Sequence, residues 1–137
     1  MRSSLPRALV LVLLGAAAIG AQARAQTEVT TTLVPGGGPL LFAGRVKWPE
    51  ADRYYVLGRK DARLSARLLA SHSRLVLVVV AGDKDPREPQ KEWTYADTVD
   101  TSFLADGRYA VAVLFDPRVD FDAPPQPASY RLELRMD

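Results

Sequence analysis

From Tyr130 to Met136 the chain alternates strictly: Tyr130, Leu132, Leu134 and Met136 are apolar, while Arg131, Glu133 and Arg135 between them are charged. Successive side chains of an extended chain point to opposite faces, so a period of two describes a strand with one dry side and one wet side. Ala62 to Ala70 repeats the pattern, with Leu64, Ala66, Leu68 and Ala70 opposing Arg63, Ser65 and Arg67. Arg74 to Ala81 (RLVLVVVA) is instead a short, unbroken, β-branched run, which predicts a central strand covered on both faces. No window beyond residue 25 carries the spacing of an amphipathic helix. Such a chain makes sheets, and a sheet with a dry face needs a second layer to cover it.

Further strands are predicted at Glu28 to Val34, Leu40 to Trp48, Arg53 to Leu57, Trp93 to Phe103 (one strand or two) and Arg108 to Phe115. Strong turn formers separate them, at Pro35 to Pro39 (PGGGP), Trp48-Pro49-Glu50, Gly58 to Asp61 and Ala105-Asp106-Gly107. About seven to nine short strands at this spacing predict an all-β, antiparallel β-sandwich.

The amino terminus reads as an export signal. Arg2 and Arg7 precede an apolar run from Ala8 to Ile19, and Ala23-Arg24-Ala25 offers the small-x-small pattern of a cleavage site. The run falls well short of the roughly 20 residues that span a bilayer. The expected organisation is a signal peptide over residues 1–25 and one β-sandwich domain over 26–137, acting in the periplasm or the medium with no membrane attachment after cleavage. With no cysteine in the chain, neither a disulfide nor a lipoprotein-type lipid anchor can form.

Removal of that segment also changes the charge. Three of the 18 basic residues lie within it and all 16 acidic ones lie beyond it, leaving 15 against 16 and a net charge of −1. The electrostatic footprint that nucleic acid requires is then missing, and no nucleic-acid partner is expected. The remaining charge is segregated: residues 45–74 hold eight basic and three acidic side chains, residues 83–122 five basic and ten acidic. Two readings follow, internal complementarity or a polarised binding surface.

Two connections exceed what a turn requires, Asp83 to Lys91 (DKDPREPQK) and Asp116 to Pro127 (DPRVDFDAPPQP). Proline-stiffened loops on a rigid sheet are where recognition tends to sit. If Trp93 to Phe103 is one strand, up-and-down alternation puts both loops at one end of the domain; if it is two, they lie at opposite ends. The candidate binding residues are Asp83, Asp85 and Arg87 in the first loop and Asp116, Arg118, Asp120 and Asp122 in the second. Tyr54 and Tyr55 are adjacent in a strand and face opposite ways, and Tyr55 is assigned the outward position, available to a ligand.

Catalytic chemistry finds little support. His72 is the only histidine, set in Ser71-His72-Ser73 at a turn, with no nucleophile elbow in the chain. Zinc lacks ligands, having neither cysteine nor a second histidine. Asp83 and Asp85 begin like a calcium loop, but that motif would place Arg87 at a ligand position and Glu88 at the glycine, so it fails; a site outside the motif stays open. No cofactor, resident metal or enzymatic activity is expected.

From Gly44 onward the order of elements resembles the bacterial pre-peptidase carboxy-terminal domain and the related periplasmic lysozyme inhibitors of the invertebrate and goose types. The resemblance is carried by Tyr54-Tyr55-Val56-Leu57-Gly58 followed by Leu64-Ser65-Ala66-Arg67-Leu68, by Leu75 to Val80, by Phe103 to Val113 with its Asp106-Gly107-Arg108-Tyr109 turn, and by Ser129 to Leu134. It implies a jelly-roll-like sandwich without catalytic machinery. It also implies a binding role, with a protein (a lysozyme or a secreted hydrolase) or an envelope glycan as partner. The alternative is an accessory module acting with a secreted hydrolase. Goose-type inhibitors carry an arginine-rich segment after the strand equivalent to Tyr109 to Leu114; here Phe115 to Asp122 is acidic with one arginine, Arg118.

Overall fold

The computed structural model describes residues 27–137; the expected signal peptide lies outside the described residues. Eight strands follow one another: β1 (Glu28–Thr30), β2 (Leu40–Val46), β3 (Ala51–Gly58), β4 (Arg63–Ala70), β5 (Leu75–Ala81), β6 (Thr98–Ser102), β7 (Gly107–Phe115) and β8 (Ala128–Met136). The odd-numbered strands form one sheet in the order β1-β3-β7-β5, the even-numbered ones a second in the order β2-β8-β4-β6. The chain therefore changes sheet at every connection, and no two consecutive strands pair. The two sheets make the β-sandwich that alternation predicts, in the jelly-roll-like form that the resemblance implies.

Every pairing is antiparallel except β1 with β3, which is parallel. The exception follows from the path. The chain runs along β1, reverses into β2 across the sandwich, and reverses again into β3, so β1 and β3 share a direction. β1 is shorter than the predicted Glu28 to Val34 because, after the Thr31 amide bonds the Tyr55 carbonyl, the chain leaves the sheet to cross over.

Reversal at each connection would keep all odd strands parallel, yet β7 runs against both β3 and β5. The rule is broken once, between β5 and β6. There the chain must run back along the sheet before starting β6 in the direction of β5, and that return accounts for the length of the Gly82–Asp97 connection. The predicted Trp93 to Phe103 strand is accordingly two pieces. Ala96 exchanges backbone hydrogen bonds with Leu77 at the edge of the first sheet, and Thr98–Ser102 pairs with β4 in the second.

Two cores result. Between the sheets lie Tyr54, Val56, Leu64, Leu77, Val111, Val113, Leu132 and Leu134, all essentially inaccessible to solvent. Gly44 is required here: a side chain would meet the Tyr130 hydroxyl at 2.5 Å, so its absence gives the Tyr130 ring its seat. The second core covers the outer face of the first sheet, where Tyr55, Val78, Val80, Ala110, Ala112 and Leu114 lie under Tyr95, with Trp93 packed alongside. The strand predicted to be dry on both faces is β5, and β7 joins it.

Candidate functional site

The two long loops leave the sheets at opposite ends, at Ala81 and at Phe115, which are distant in the β5–β7 register. The second loop still meets the connection that the first begins, because the chain beyond Lys91 continues over the outer face of the first sheet until Tyr95 lies beneath the Arg118 guanidinium, 4.8 Å from ring centre to carbon. Each loop is built on the same tripeptide, Asp-Pro-Arg, at residues 85–87 and at 116–118.

The shared sequence folds the same way twice. Asp85 Oδ1 accepts from the Arg87 backbone amide at 3.0 Å, and its two oxygens take Nε and Nη2 of Arg87, each at 3.0 Å. In the second loop Asp116 accepts from the Arg118 amide and Nε at 2.9 Å and from Nη2 at 2.8 Å. An aspartate that bonds the amide two residues on makes a turn by itself, and proline between them fixes one of the remaining dihedrals. The bidentate fork then immobilises the arginine. Hydrogen bonds from Arg87 and Arg118 hold the Asp85 and Asp116 carboxyls below the usual aspartate value, against the smaller opposing effect of burial.

Their settings differ. Asp85 also lies 3.7 Å from Arg53, a nearly buried side chain of β3 that reaches Glu28 at 3.3 Å on its other side. Arg53 thus ties both β1 and the first loop to the outer face of the sheet. Asp116 is almost buried, its amide bonded to the Arg74 carbonyl, while the Arg118 side chain stays half exposed. Arg118 presents one face to Tyr95 and, with Nε and one Nη2 hydrogen engaged, keeps three donors for a partner. The buried Tyr95 hydroxyl lies near the Gln90 backbone but outside hydrogen-bonding geometry, and burial pushes it up.

The remaining candidates are scattered. Asp83 is exposed at the start of the first loop, and Asp120 and Asp122 are exposed on either side of Phe121. Phe121 anchors the second loop edge-on to Trp48 and to Phe115, at 6.4 and 5.9 Å between ring centres. Tyr55 does face away from the inter-sheet core, but its role as an open ligand platform is corrected: it is 8% exposed, with the Arg108 guanidinium stacked 3.8 Å above its ring. The apolar outer face of the first sheet had to be covered, and Tyr55 is under the cover. Among the described residues no group of three or more histidine, aspartate or glutamate side chains is placed to hold a metal ion. The His72 Nδ1 accepts from the Arg74 amide at 3.0 Å and its ring packs edge-on against Phe115, which makes it a turn residue.

A buried polar network lies behind the site. Asp52, 1% exposed, accepts from the Tyr130 hydroxyl at 2.6 Å and from the Thr27 amide at 2.9 Å. The Tyr130 proton being spent on Asp52, Tyr54 donates to the Tyr130 oxygen at 2.7 Å. Burial raises Asp52 above its ordinary value, these hydrogen bonds opposing it, and pushes Tyr54 up to about 12. The signal for it lay in Asp52, Tyr54 and Val56 sharing one face, but a strand started at Arg53 leaves Asp52 out. The duplicated Asp-Pro-Arg was the other legible and unread signal.

Of the two charge readings, internal complementarity holds in part: Arg53–Asp85 and Arg63–Asp100 join the basic and acidic segments, whereas Asp85 and Asp116 are chiefly engaged by the arginines of their own loops.

No protein-family model matches the sequence, and no curated protein matches it. The fold, by contrast, is shared with solved structures. PliG of Aeromonas hydrophila, a periplasmic lysozyme inhibitor of g-type lysozyme, superposes with a TM-score of 0.60 over 82% of this chain and 100% of its own, at 13% identity. PliG of Salmonella Typhimurium, likewise a periplasmic lysozyme inhibitor of g-type lysozyme, gives 0.54 over 81% and 98%, at 14% identity. The pre-peptidase carboxy-terminal domain of a Bacillus anthracis collagenase gives 0.52 over 83% and 100%, at 11% identity. At these identities the likeness establishes a common sandwich, the one that the sequence resembles.

Proposed function

We propose that this chain is an exported, non-enzymatic binding protein of the lysozyme-inhibitor type, directed outward by residues 1–25 and acting through residues 26–137 in the periplasm or the medium. The observation that carries the reading is Arg118. It is a half-exposed guanidinium locked by Asp116, backed by the Tyr95 ring and set on a proline turn where the second long loop meets the end of the Gly82–Asp97 connection. A glycan-cleaving cleft offers carboxylates to such a probe. Because the fork is fixed before contact, little side-chain entropy is lost on docking. The acidic neighbours Asp120 and Asp122 slow approach to an acidic cleft and favour a partner with a basic rim. Support for the partner class comes from the shared fold with the two PliG inhibitors.

The test is lysis of peptidoglycan by goose-, chicken- and invertebrate-type lysozymes with the purified protein present. Inhibition of at least one enzyme is expected, with Arg118→Ala raising the half-inhibitory concentration about tenfold or more and Arg118→Lys, which keeps charge but not the fork, falling between. If all three enzymes work at full speed, the lysozyme reading is lost. A second reading, an accessory module of a secreted hydrolase, is favoured by the likeness to the collagenase domain. It would appear as co-purification with such an enzyme.

A further inference from the structure

Among the described residues nothing covers the outer face of the second sheet. There the register sets the side chains in rows: Leu41, Glu133 and Arg67 lie side by side across β2, β8 and β4, and Ala43, Arg131 and Leu69 form the next row. Ala43 is small where its neighbours are long, so the surface sinks between Leu41, Leu69, Glu133 and the two arginines, which outnumber that carboxylate, into a groove of about 480 Å³ with a mainly apolar lining. Leu41 and Leu69 are 74% and 68% exposed and line the same groove, so they form an apolar patch that no described residue covers.

The charge on this face is unbalanced. It carries Arg45, Arg63, Arg67, Arg131 and Arg135 against Asp100, Glu133 and Asp137. Arg63 pairs with Asp100, Arg135 with Asp137, and Arg67 lies a long 3.8 Å from Glu133. Among the described residues Arg131 has no carboxylate within 4 Å, and it stands between Ala43 and Leu69 at the groove.

We propose that this groove is a binding site for a small single-chain amphiphilic anion, a fatty-acid-like carboxylate whose head sits on Arg131 with Arg67 nearby and whose tail lies along Leu41, Ala43 and Leu69. The volume falls within the range of small-ligand pockets, and an apolar lining with a few convergent polar groups is their usual make-up. A concave groove accepts one tail, whereas a flat membrane would touch only its rims. The site is remote from Arg118 and does not depend on the lysozyme reading.

Calorimetric titration of the purified protein with octanoate, decanoate and dodecanoate, below their micelle concentrations, tests it. Saturable binding is expected, tightening roughly twofold per added methylene because the groove covers only part of the tail. Dodecyltrimethylammonium, with the same tail and the opposite head, should bind at least tenfold more weakly. Arg131→Glu should weaken dodecanoate at least tenfold, Arg131→Lys much less, and Arg118→Ala not at all; a thermal melt of each variant confirms that this exposed position leaves the fold intact. Equal binding of the cationic and anionic amphiphiles, an Arg131→Glu variant that binds like the parent, or no saturable binding would each overturn the proposal. So would binding to anionic phosphatidylglycerol vesicles without binding to monomeric dodecanoate.

Discussion

The two sheets of this sandwich have four strands each, and each gives one face to the shared core, but their outer faces have opposite fates. On the first sheet Val78, Val80, Ala110, Ala112 and Leu114 point outward and are buried, because the Gly82–Asp97 connection runs back over them. On the second, arginines alternate with leucine, serine and glutamate in open solvent. The difference is chemical before it is topological. A strand whose outward positions are alanine, valine and leucine demands a third layer, and the one connection that breaks the alternation of strand direction supplies it. A strand whose outward positions are arginine needs none, and the long arginine stems shield part of the sheet between them.

One substitution placed on both outer faces tests the difference between them. Ala112 and Ala43 are both outward alanines, the first fully buried and the second exposed. Ala112→Asp sets a carboxylate into the apolar layer without a partner and should cost about 3 kcal/mol or more of unfolding free energy by urea titration. Ala43→Asp should stay within about 0.5 kcal/mol. Similar losses at the two positions would mean that the cover over the first sheet contributes nothing.

A smaller effect is expected from removing the cover's own anchor. Tyr95 packs on the second core and supports Arg118, so Tyr95→Ala should destabilise the protein by about 2 kcal/mol, below the range for a side chain enclosed on all sides. Its signature is local. Amide exchange should quicken at Leu77, whose N–H bonds the Ala96 carbonyl at 2.7 Å, while the β4–β8 ladder of the open sheet keeps its protection. Uniform loss of protection in both sheets would show the cover to be inseparable from the fold.

Much of this asymmetry was legible in the residues. Alternation in β4 and β8 marks strands wet on one side, and the unbroken Leu75–Ala81 run marks one dry on both. β7 carries the same message in Ala110 to Leu114. What covers the dry face was not legible, since DKDPREPQK is as polar as any solvated loop and its packing is done by Trp93 and Tyr95 beyond it. Tyr55 lies on the predicted side yet under cover for the same reason: periodicity assigns a side, and only the third layer decides whether that side is wet. Of the site itself, the loops and Arg118 could be singled out, but the contact of Arg118 with Tyr95 could not. It depends on one reversal of direction that strand spacing does not encode.

The smallest effects are those of pH, and they separate the interior from the covered face by sign. Asp52 lies between the sheets, and burial raises it above the ordinary value of 3.8. Between that value and its raised one, the folded protein keeps a proton that the unfolded chain has released, so stability falls as pH rises through this window. Asp85 and Asp116, on the loops at the covered face, are held down by their arginines. Their contribution is fully present above 3.8 and is lost as pH falls through the lowered folded values, where the unfolded chain takes up protons first. Urea midpoints measured across the acid range should therefore decline on both sides, through different groups. Asp52→Asn, which keeps an acceptor for the Thr27 amide, should flatten the limb above 3.8 and leave the acid limb in place; Asp85→Asn should flatten part of the acid limb only. If Asp52→Asn altered the acid limb instead, the buried carboxyl would be coupled to the loops, and interior and covered face would titrate as one unit.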